Sequence, residues 1–377
     1  MTETAADVVI VGGGLMGAAT AFFLRRRNRS VALLERGLVG QQASGVNFGN
    51  VRRQGRFLPQ LPLANRAREI WGRLDELLGE DAEFLPSGHL RVAFRPEEVG
   101  RLEQYAEDAS PYGLELELIS RNALRARFPY LSPDALAGSF SPLDGHANPR
   151  LAAPAFSRAA ARLGARIFEN TEVVEIGRPG HDFVIETSAN ERFRAPNLLI
   201  SAGAWGPDLA THFFNEPVPA HSHAPQMAVT EPVAVFMESV IGVFSDIVEE
   251  GVYLRQVARG NIVFGGGRRG PALPDIRRAY VDPANTLRQL PQLRRLVPAL
   301  GALSVIRTWS GIEAYVEDDI PVIGRSAKIP GLYYAFGFCG HGFQLGPGVG
   351  DVMAELIDKG ATTTPIAPFH IARFARP

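Results

Sequence analysis

One cysteine, Cys339, stands in 377 residues. That excludes a disulfide framework within the chain, a self-contained iron–sulfur cluster and a cysteine-rich zinc site. Lysine is nearly as scarce: Lys328 and Lys359 are the only two, and every other basic residue is arginine. We read that bias as genomic base composition. Excess charge is missing as well, since 39 basic and 40 acidic residues leave a net charge of −1. No electrostatic footprint for nucleic acid or an anionic membrane follows from that balance. A membrane-length apolar run is also lacking. Residues 8–24 are largely apolar and precede Arg25-Arg26-Arg27, but they contain four glycines, are too short to span and follow an acidic start. A cytoplasmic protein is expected. Hydrophobic residues make up 46% of the chain, and its length exceeds one ordinary core. Two domains are expected, interleaved along the sequence.

What is present begins with Val8-Val-Ile-Val-Gly-Gly-Gly-Leu-Met-Gly17, an apolar strand running into a glycine turn. Gly12, Gly14 and Gly17 fit G-x-G-x-x-G. In that motif the first glycine allows the tight turn, the second lets the backbone approach a pyrophosphate, and the third lets helix and strand pack closely. A helix over 15–27 presents its N-terminus to the phosphates. The strand Val31–Glu35 then places the Glu35 carboxylate where it can accept the ribose hydroxyls of an adenosine. Strand, turn, helix, strand and acid in this order point to a dinucleotide, without separating NAD from FAD.

Residues 38–56 are too rich in Gly, Ser, Asn and Gln to be core, and a functional loop is expected there. Apolar spacing predicts a helix over 61–78, with Trp71 in the core. Residues 84–95 read as a hairpin or short strand pair, and 97–109 and 150–163 as helices. Strand 165–168 follows, then a hairpin of 171–176 with 183–187, and a buried strand at 197–203. From about 215 to 311 strands dominate (225–231, 241–248, 251–256 and 261–265), interrupted by a helix over 284–297. Strand 331–337 leads through a turn to a helix over 347–359, opened by Pro347. The expected fold is α/β plus a β-rich insert. A nucleotide-binding domain built from 1–82, 147–212 and 312–377 interleaves with an antiparallel-sheet substrate domain of 83–146 and 213–311.

Together these motifs resemble the D-amino-acid oxidase superfamily of FAD enzymes, which includes glycine oxidase and sarcosine oxidase. The likeness rests on the fingerprint, Glu35-Arg36, Ala43-Ser44-Gly45, Asp144-Gly145-His146 and Thr171-x-Val173-x-x-Ile176. It continues through Ser201-Ala-Gly-Ala-Trp205, Trp309-Ser-Gly-Ile-Glu313, Asp318-Asp-Ile-Pro-Val-Ile-Gly324 and Gly340-His-Gly-Phe343, and so covers nearly the whole chain. It implies FAD rather than NAD, in a Rossmann-like domain of the glutathione-reductase type. Within the family, the run Arg52-Arg53-Gln54-Gly55-Arg56 and the length resemble the flavoprotein subunits of D-hydroxyproline dehydrogenases and opine oxidases.

The resemblance implies FAD contacts at Gly12, Gly14, Gly17, Glu35, Arg36, Ser44, Asn47, Ala202, Gly203, Trp205 and Gly311. It adds a backbone contact from Val173 to the adenine, and has Gly342, Phe343, Gln344 and Leu345 precede a helix aimed at the flavin N1–C2=O edge. His341 would lie beside the flavin. Tyr253 is either a core aromatic or a hydroxyl facing substrate, and Arg255 shares its strand face. Relatives hold the substrate carboxylate with an arginine where this chain has Glu313, so Arg52, Arg53 or Arg255 would replace it, or the substrate is a different amine. Sarcosine oxidases attach FAD through a cysteine in that segment; residues 309–315 have none, so non-covalent FAD is expected. His212, His221 and His223 lack the partners of a metal site, and no metal is expected.

The implied reaction is oxidation of an amine or D-amino acid to an imine, with cis-4-hydroxy-D-proline or D-proline as the narrow expectation. An opine, or a non-catalytic FAD-binding scaffold, is the rival. The expected partners are the small-molecule amine and a redox subunit carrying an iron–sulfur centre, or a dye or quinone acceptor, in an oligomer. Relatives promote oxygen reduction with a lysine near the flavin. Strand 261–265 has none, so dehydrogenase behaviour is expected.

Overall fold

The computed structural model describes residues 3–375. Its centre is a six-stranded sheet in the spatial order 322–325, 332–336, 197–200, 8–11, 31–34, 166–168. All neighbours are parallel except the edge strand Val322–Arg325, which runs antiparallel to Leu332–Phe336. These strands read as continuous apolar runs because both faces are covered. Val8, Ile10, Val31 and Leu33 face one core, beneath the helices Leu15–Arg26, Pro149–Arg162 and Gly342–Lys359. Val9, Val11, Ala32 and Leu34 face the other, against Phe183, Ile185 and Phe193 of a four-stranded sheet.

The helix Leu15–Arg26 packs between the other two at close range. Gly350 makes this possible, since a Cβ there would lie 2.4 Å from that of Ala19. Trp71 is buried and its indole N–H donates to the Gln344 carbonyl at 2.8 Å, pinning the C-terminal helix to Leu61–Trp71.

A second large sheet has eight strands, in the order 305–310, 226–232, 261–266, 252–256, 240–243, 89–93, 137–141, 117–120. Leu90, Val92, Leu254, Ile262 and Phe264 form its core with Leu293 and Leu296 of the helix Pro283–Leu296. This sheet is mixed, not antiparallel as expected: Val240–Val243 pairs in parallel with His89–Val92. Those two strands come from distant stretches of chain, so no hairpin dictates their direction. A smaller sheet pairs Ala220–Ala224 with Glu313–Val316, joining segments that the sequence reading assigned to different domains.

Several elements differ from the sequence expectation. The helix over 61–78 is two helices, Leu61–Trp71 and Leu74–Leu78, broken at Gly72-Arg73. Residues 84–95 yield one strand, His89–Ala93, whose partners lie elsewhere in the chain. The strand expected over 241–248 ends at Val243. The C-terminal helix begins at Gly342, with Pro347 inside it. Proline's preference for a first turn misplaced that start by five residues, although a proline is tolerated farther in. Strands Ala137–Ser141, Ala220–Ala224, Gly270–Leu273 and Val305–Ser310 have weak or interrupted alternation and were not anticipated.

Candidate active site

A large cavity of about 800 Å³ runs from the ends of the parallel strands to the face of the eight-stranded sheet. At the first end Gly14 is the N-cap of the helix Leu15–Arg26, and the Leu15 N–H donates to Ser44 Oγ at 2.9 Å. A Cβ on Gly14 would meet only that hydroxyl, at 3.1 Å, whereas one on Gly17 would lie 2.0 Å from the Gly12 carbonyl oxygen. Gly14 therefore borders open cavity and Gly17 is packed against protein. Gly12 has φ +108° and backs onto Ser201.

Glu35 lines the cavity with its carboxylate fixed by the N–H groups of Gly13 and Gly37, both at 2.7 Å. Arg36 stacks over the Trp205 ring, 4.5 Å from its centroid. Val173, Ala202 and Gly203 complete this end. The cradle fits FAD: a helix N-terminus and the bare Gly14 face the place of a pyrophosphate, and Glu35 retains free lone pairs for ribose hydroxyls. Glu35, Arg36, Val173 and Trp205 would hold the adenosine, and Gly12, Gly14, Ser44 and Ala202 the pyrophosphate.

Farther along, Gly342, Phe343 and Gln344 line the cavity as the first turn of the C-terminal helix, not as a loop before it. Their N–H end carries the partial positive charge that would stabilise a reduced flavin edge. Asn47 borders the same space, but its side chain is used locally. Its amide donates to the Ala43 and Ser44 carbonyls, and its oxygen accepts from Gly49. Gly17, Gly311 and Leu345 do not line the cavity. Gly311 packs on Val46 and Leu345 is fully buried in the helix core.

At the second end the arginines sort into two kinds. Arg53 pairs with the buried Asp144 at 2.9 Å, and Arg255 donates to the Phe48 carbonyl and faces His146 Nδ1. Both support the wall from behind and neither reaches the cavity. This corrects the expectation that either clamps a substrate, because burial has already committed their guanidiniums to protein acceptors. Arg52, Arg56, Arg91 and Arg269 do line it. Arg52 donates to the Gln54 carbonyl, and Arg56 to the carbonyls of Arg52 and His341. Arg91 and Arg269 lie over the rings of Phe244 and Tyr315. Among the described residues, none of the four has a carboxylate partner. Burial, reinforced by Arg52, pushes Arg56 and Arg91 down to about 9, so both remain charged at neutral pH.

Sequence reading missed Arg91 and Arg269. Arg91 lies at an interior strand position and Arg269 follows the glycines 265–267, so neither belongs to a motif. Alternation on strand 89–93 could at most have placed Arg91 with His89 on the face opposite Leu90 and Val92.

Tyr253 stands beside these arginines, its ring edge-on to Phe48 with centroids 4.7 Å apart. Arg255 contacts Phe48 as well, so the two side chains do share a strand face. The Tyr253 hydroxyl has no partner among the described residues, and burial pushes it up to about 12. His341 caps the C-terminal helix. Its Nδ1 is buried without a partner, and burial with the surrounding arginines keeps the ring neutral. Glu313 completes this end. Its carboxylate accepts from the Gly340 N–H at 2.7 Å and from the Tyr315 hydroxyl at 3.2 Å. Cys339 is buried in the adjoining turn, with Sγ accepting from the Val316 N–H and donating to the Gly337 carbonyl. Lys328 and Lys359 lie outside the cavity.

The arrangement joins a dinucleotide cradle to a compartment with surplus positive charge. Among the described residues no helix is long and apolar enough to cross a membrane. Glycine oxidase of Geobacillus kaustophilus is 29% identical over 97% of both chains. The sarcosine oxidase subunit beta of Rhizobium meliloti is 27% identical over 98% of this chain and 88% of its own. The L-proline dehydrogenase structure from P. horikoshii superposes with a TM-score of 0.91 at 26% identity, covering 99% of this chain and 98% of that one. A model of the FAD dependent oxidoreductase family matches residues 7–356, and the chain belongs to that family.

Proposed function

We propose that this chain oxidises an amino acid carrying a secondary amine, with cis-4-hydroxy-D-proline or D-proline as the type substrate. Bound in a Rossmann-like cradle of the glutathione-reductase type, FAD would supply the acceptor for a hydride from the α-carbon. The arginines of the compartment contribute positioning and electrostatics. The observation that carries the reading is the set of unpaired arginines at the far end of the cavity. Charged guanidiniums without carboxylate partners are costly to bury, and a substrate carboxylate supplies what they lack. Glycine, sarcosine and proline, the substrates in the relatives' names, are all amino acids.

Arg52 and Arg91 take the carboxylate in this reading, in place of the arginine that relatives have at position 313. A second reading, an opine with a further carboxylate, is favoured by one observation: Arg269 is a fourth unpaired cation, on the Tyr315 side of the compartment. The name of the sarcosine oxidase subunit supports work within an assembly. Electrons would then pass to a redox subunit or a quinone, since no lysine lines the cavity to favour oxygen.

Anaerobic stopped-flow bleaching of the flavin by D-proline, hydroxyprolines and opines tests this. Replacing Arg91 or Arg52 by alanine should raise the apparent substrate Kd at least tenfold, about 1.4 kcal/mol, with the FAD content unchanged. Two single variants with unaltered Kd would overturn the carboxylate assignment. Reduction by L-enantiomers at equal rate would remove the D-specific part. Reoxidation by air as fast as by a dye acceptor would make the enzyme an oxidase.

A further inference from the structure

We propose that Glu313 is the proton acceptor that turns the bound substrate's ammonium group into the neutral amine. The proposal rests on the amine-oxidising reading above and adds a catalytic role to it. Hydride departure from the α-carbon needs the nitrogen lone pair to form the C=N bond, and an ammonium group has none. Amines of this kind hold their proton to a pH of about 8 to 10. At neutral pH, therefore, almost every substrate molecule arrives protonated, and something in the compartment must take that proton.

Among the described residues Glu313 is the carboxylate placed to do so. It opens the strand Glu313–Val316 and lines the same cavity as Arg52, Arg56 and Arg91. One oxygen is held by the Gly340 N–H and the other by the Tyr315 hydroxyl, which fixes the group and leaves lone pairs free. Among the described residues it makes no ion pair, although Arg269 lies over the neighbouring Tyr315 ring, 3.6 Å from its centroid. The other groups around it are Tyr253, the thiol of Cys339, and His223 opposite it on the adjacent strand. His223 is shifted down by burial and by Arg269, and none of these three is a competing cation at neutral pH. Burial raises the Glu313 carboxyl above its ordinary value, making it a better base than a surface carboxylate.

Tyr253 feels the negative charge of Glu313 and the positive charges of Arg269 and Arg52, so it shares one compartment with all three. An amino acid lying over that ring would direct its nitrogen to Glu313 and its carboxylate to Arg52 and Arg91. In the step itself an N–H bond of the ammonium breaks and an O–H bond forms on Glu313. The α-hydrogen would then leave with the C–H electron pair as hydride, for which bound FAD would be the acceptor, and the nitrogen lone pair becomes the C=N bond of an iminium product. Glu313 loses its proton to solvent when the product leaves.

The test follows the rate of anaerobic flavin bleaching by D-proline against pH, for the FAD-loaded wild type and Glu313→Gln. In the wild type the rate should reach its plateau well below the pKa of free D-proline. In Glu313→Gln it should fall about 100-fold at pH 7, then climb tenfold per pH unit towards the pKa of the free amine. Binding of pyrrole-2-carboxylate, which has a carboxylate but no ammonium, should perturb the flavin spectrum with a Kd within twofold of wild type. A Glu313→Gln profile parallel to wild type overturns the proposal while leaving the amine-oxidising reading intact. A wild type bleached by no amine removes that reading and the proposal with it. Should the variant fail to load FAD, the wild-type profile decides: a limb at the amine's own pKa overturns the proposal, and a limb well below it supports it.

Discussion

Glycines of one fingerprint fail for different reasons when given a side chain. Gly17 is limited by protein, because an added Cβ would sit 2.0 Å from the Gly12 oxygen. Gly14 has φ −67°, which any residue adopts, and its Cβ would meet only the Ser44 hydroxyl. Its constraint comes from the ligand. Gly17→Ala should therefore destabilise the apoprotein by about 3 kcal/mol or more. Gly14→Ala should leave the apoprotein melting temperature nearly unchanged and weaken FAD binding at least 100-fold. Thermal melts of the apoproteins and flavin titration separate the two, and equal melting temperatures would refute the distinction. The fingerprint and Glu35 were legible in the sequence because a local motif encodes them. The arginines were legible only as a group. Arg52, Arg53 and Arg56 are near neighbours, and which one faces the cavity depends on Asp144, some ninety residues away. Arg91 and Arg269 carried no local sign at all.

The same contrast holds for whole elements. Parallel strands buried on both faces advertise themselves as apolar runs: Val8–Val11 and Val31–Leu34 were found close to their true bounds, and Asn197–Ile200 at its start, three residues short of the expected end. Strands of the eight-stranded sheet are held by distant partners, so Ala137–Ser141 and Val305–Ser310 escaped a local reading. One ion cluster ties such distant pieces together. Arg95, at the N-cap of the helix Pro96–Ala109, donates to both carboxylate oxygens of Glu250 at 3.0 and 2.8 Å and to Ser245. Hydrogen bonds from Arg95 hold Glu250 down at about 2, from an ordinary value of 4.5. A folded-state value below the unfolded one stabilises the protein above about pH 4.5, and that contribution is lost as the pH falls towards about 2. Wild type should thus exceed Glu250→Gln in urea midpoint at pH 6, and the gap should narrow below about pH 4.5 and close only towards pH 2. A gap independent of pH would show that the pair contributes nothing through ionisation.

For the molecule as a whole, the cavity explains why two sheets of different construction share one chain. The parallel sheet ends where phosphates can be held, the mixed sheet supplies cations, and the C-terminal helix starts between them. Sequence order alone could not show that Glu313 and Arg91 share a compartment, since more than two hundred residues separate them. The lone thiol at the centre of this arrangement has a practical consequence. Cys339 is 5% exposed, and burial raises its pKa to about 12, so reactive thiolate is almost absent from the folded protein. A maleimide or disulfide reagent should therefore modify it mainly in molecules that have opened, at the cavity that it borders or globally, making the rate of modification a clock for opening. Because FAD binds the closed form, adding it should slow that clock by the factor 1 + [FAD]/Kd. Modification at the speed of a free thiol, or indifferent to FAD, would contradict this. With a single cysteine in the chain, the reading needs no background correction: each labelled molecule records one opening.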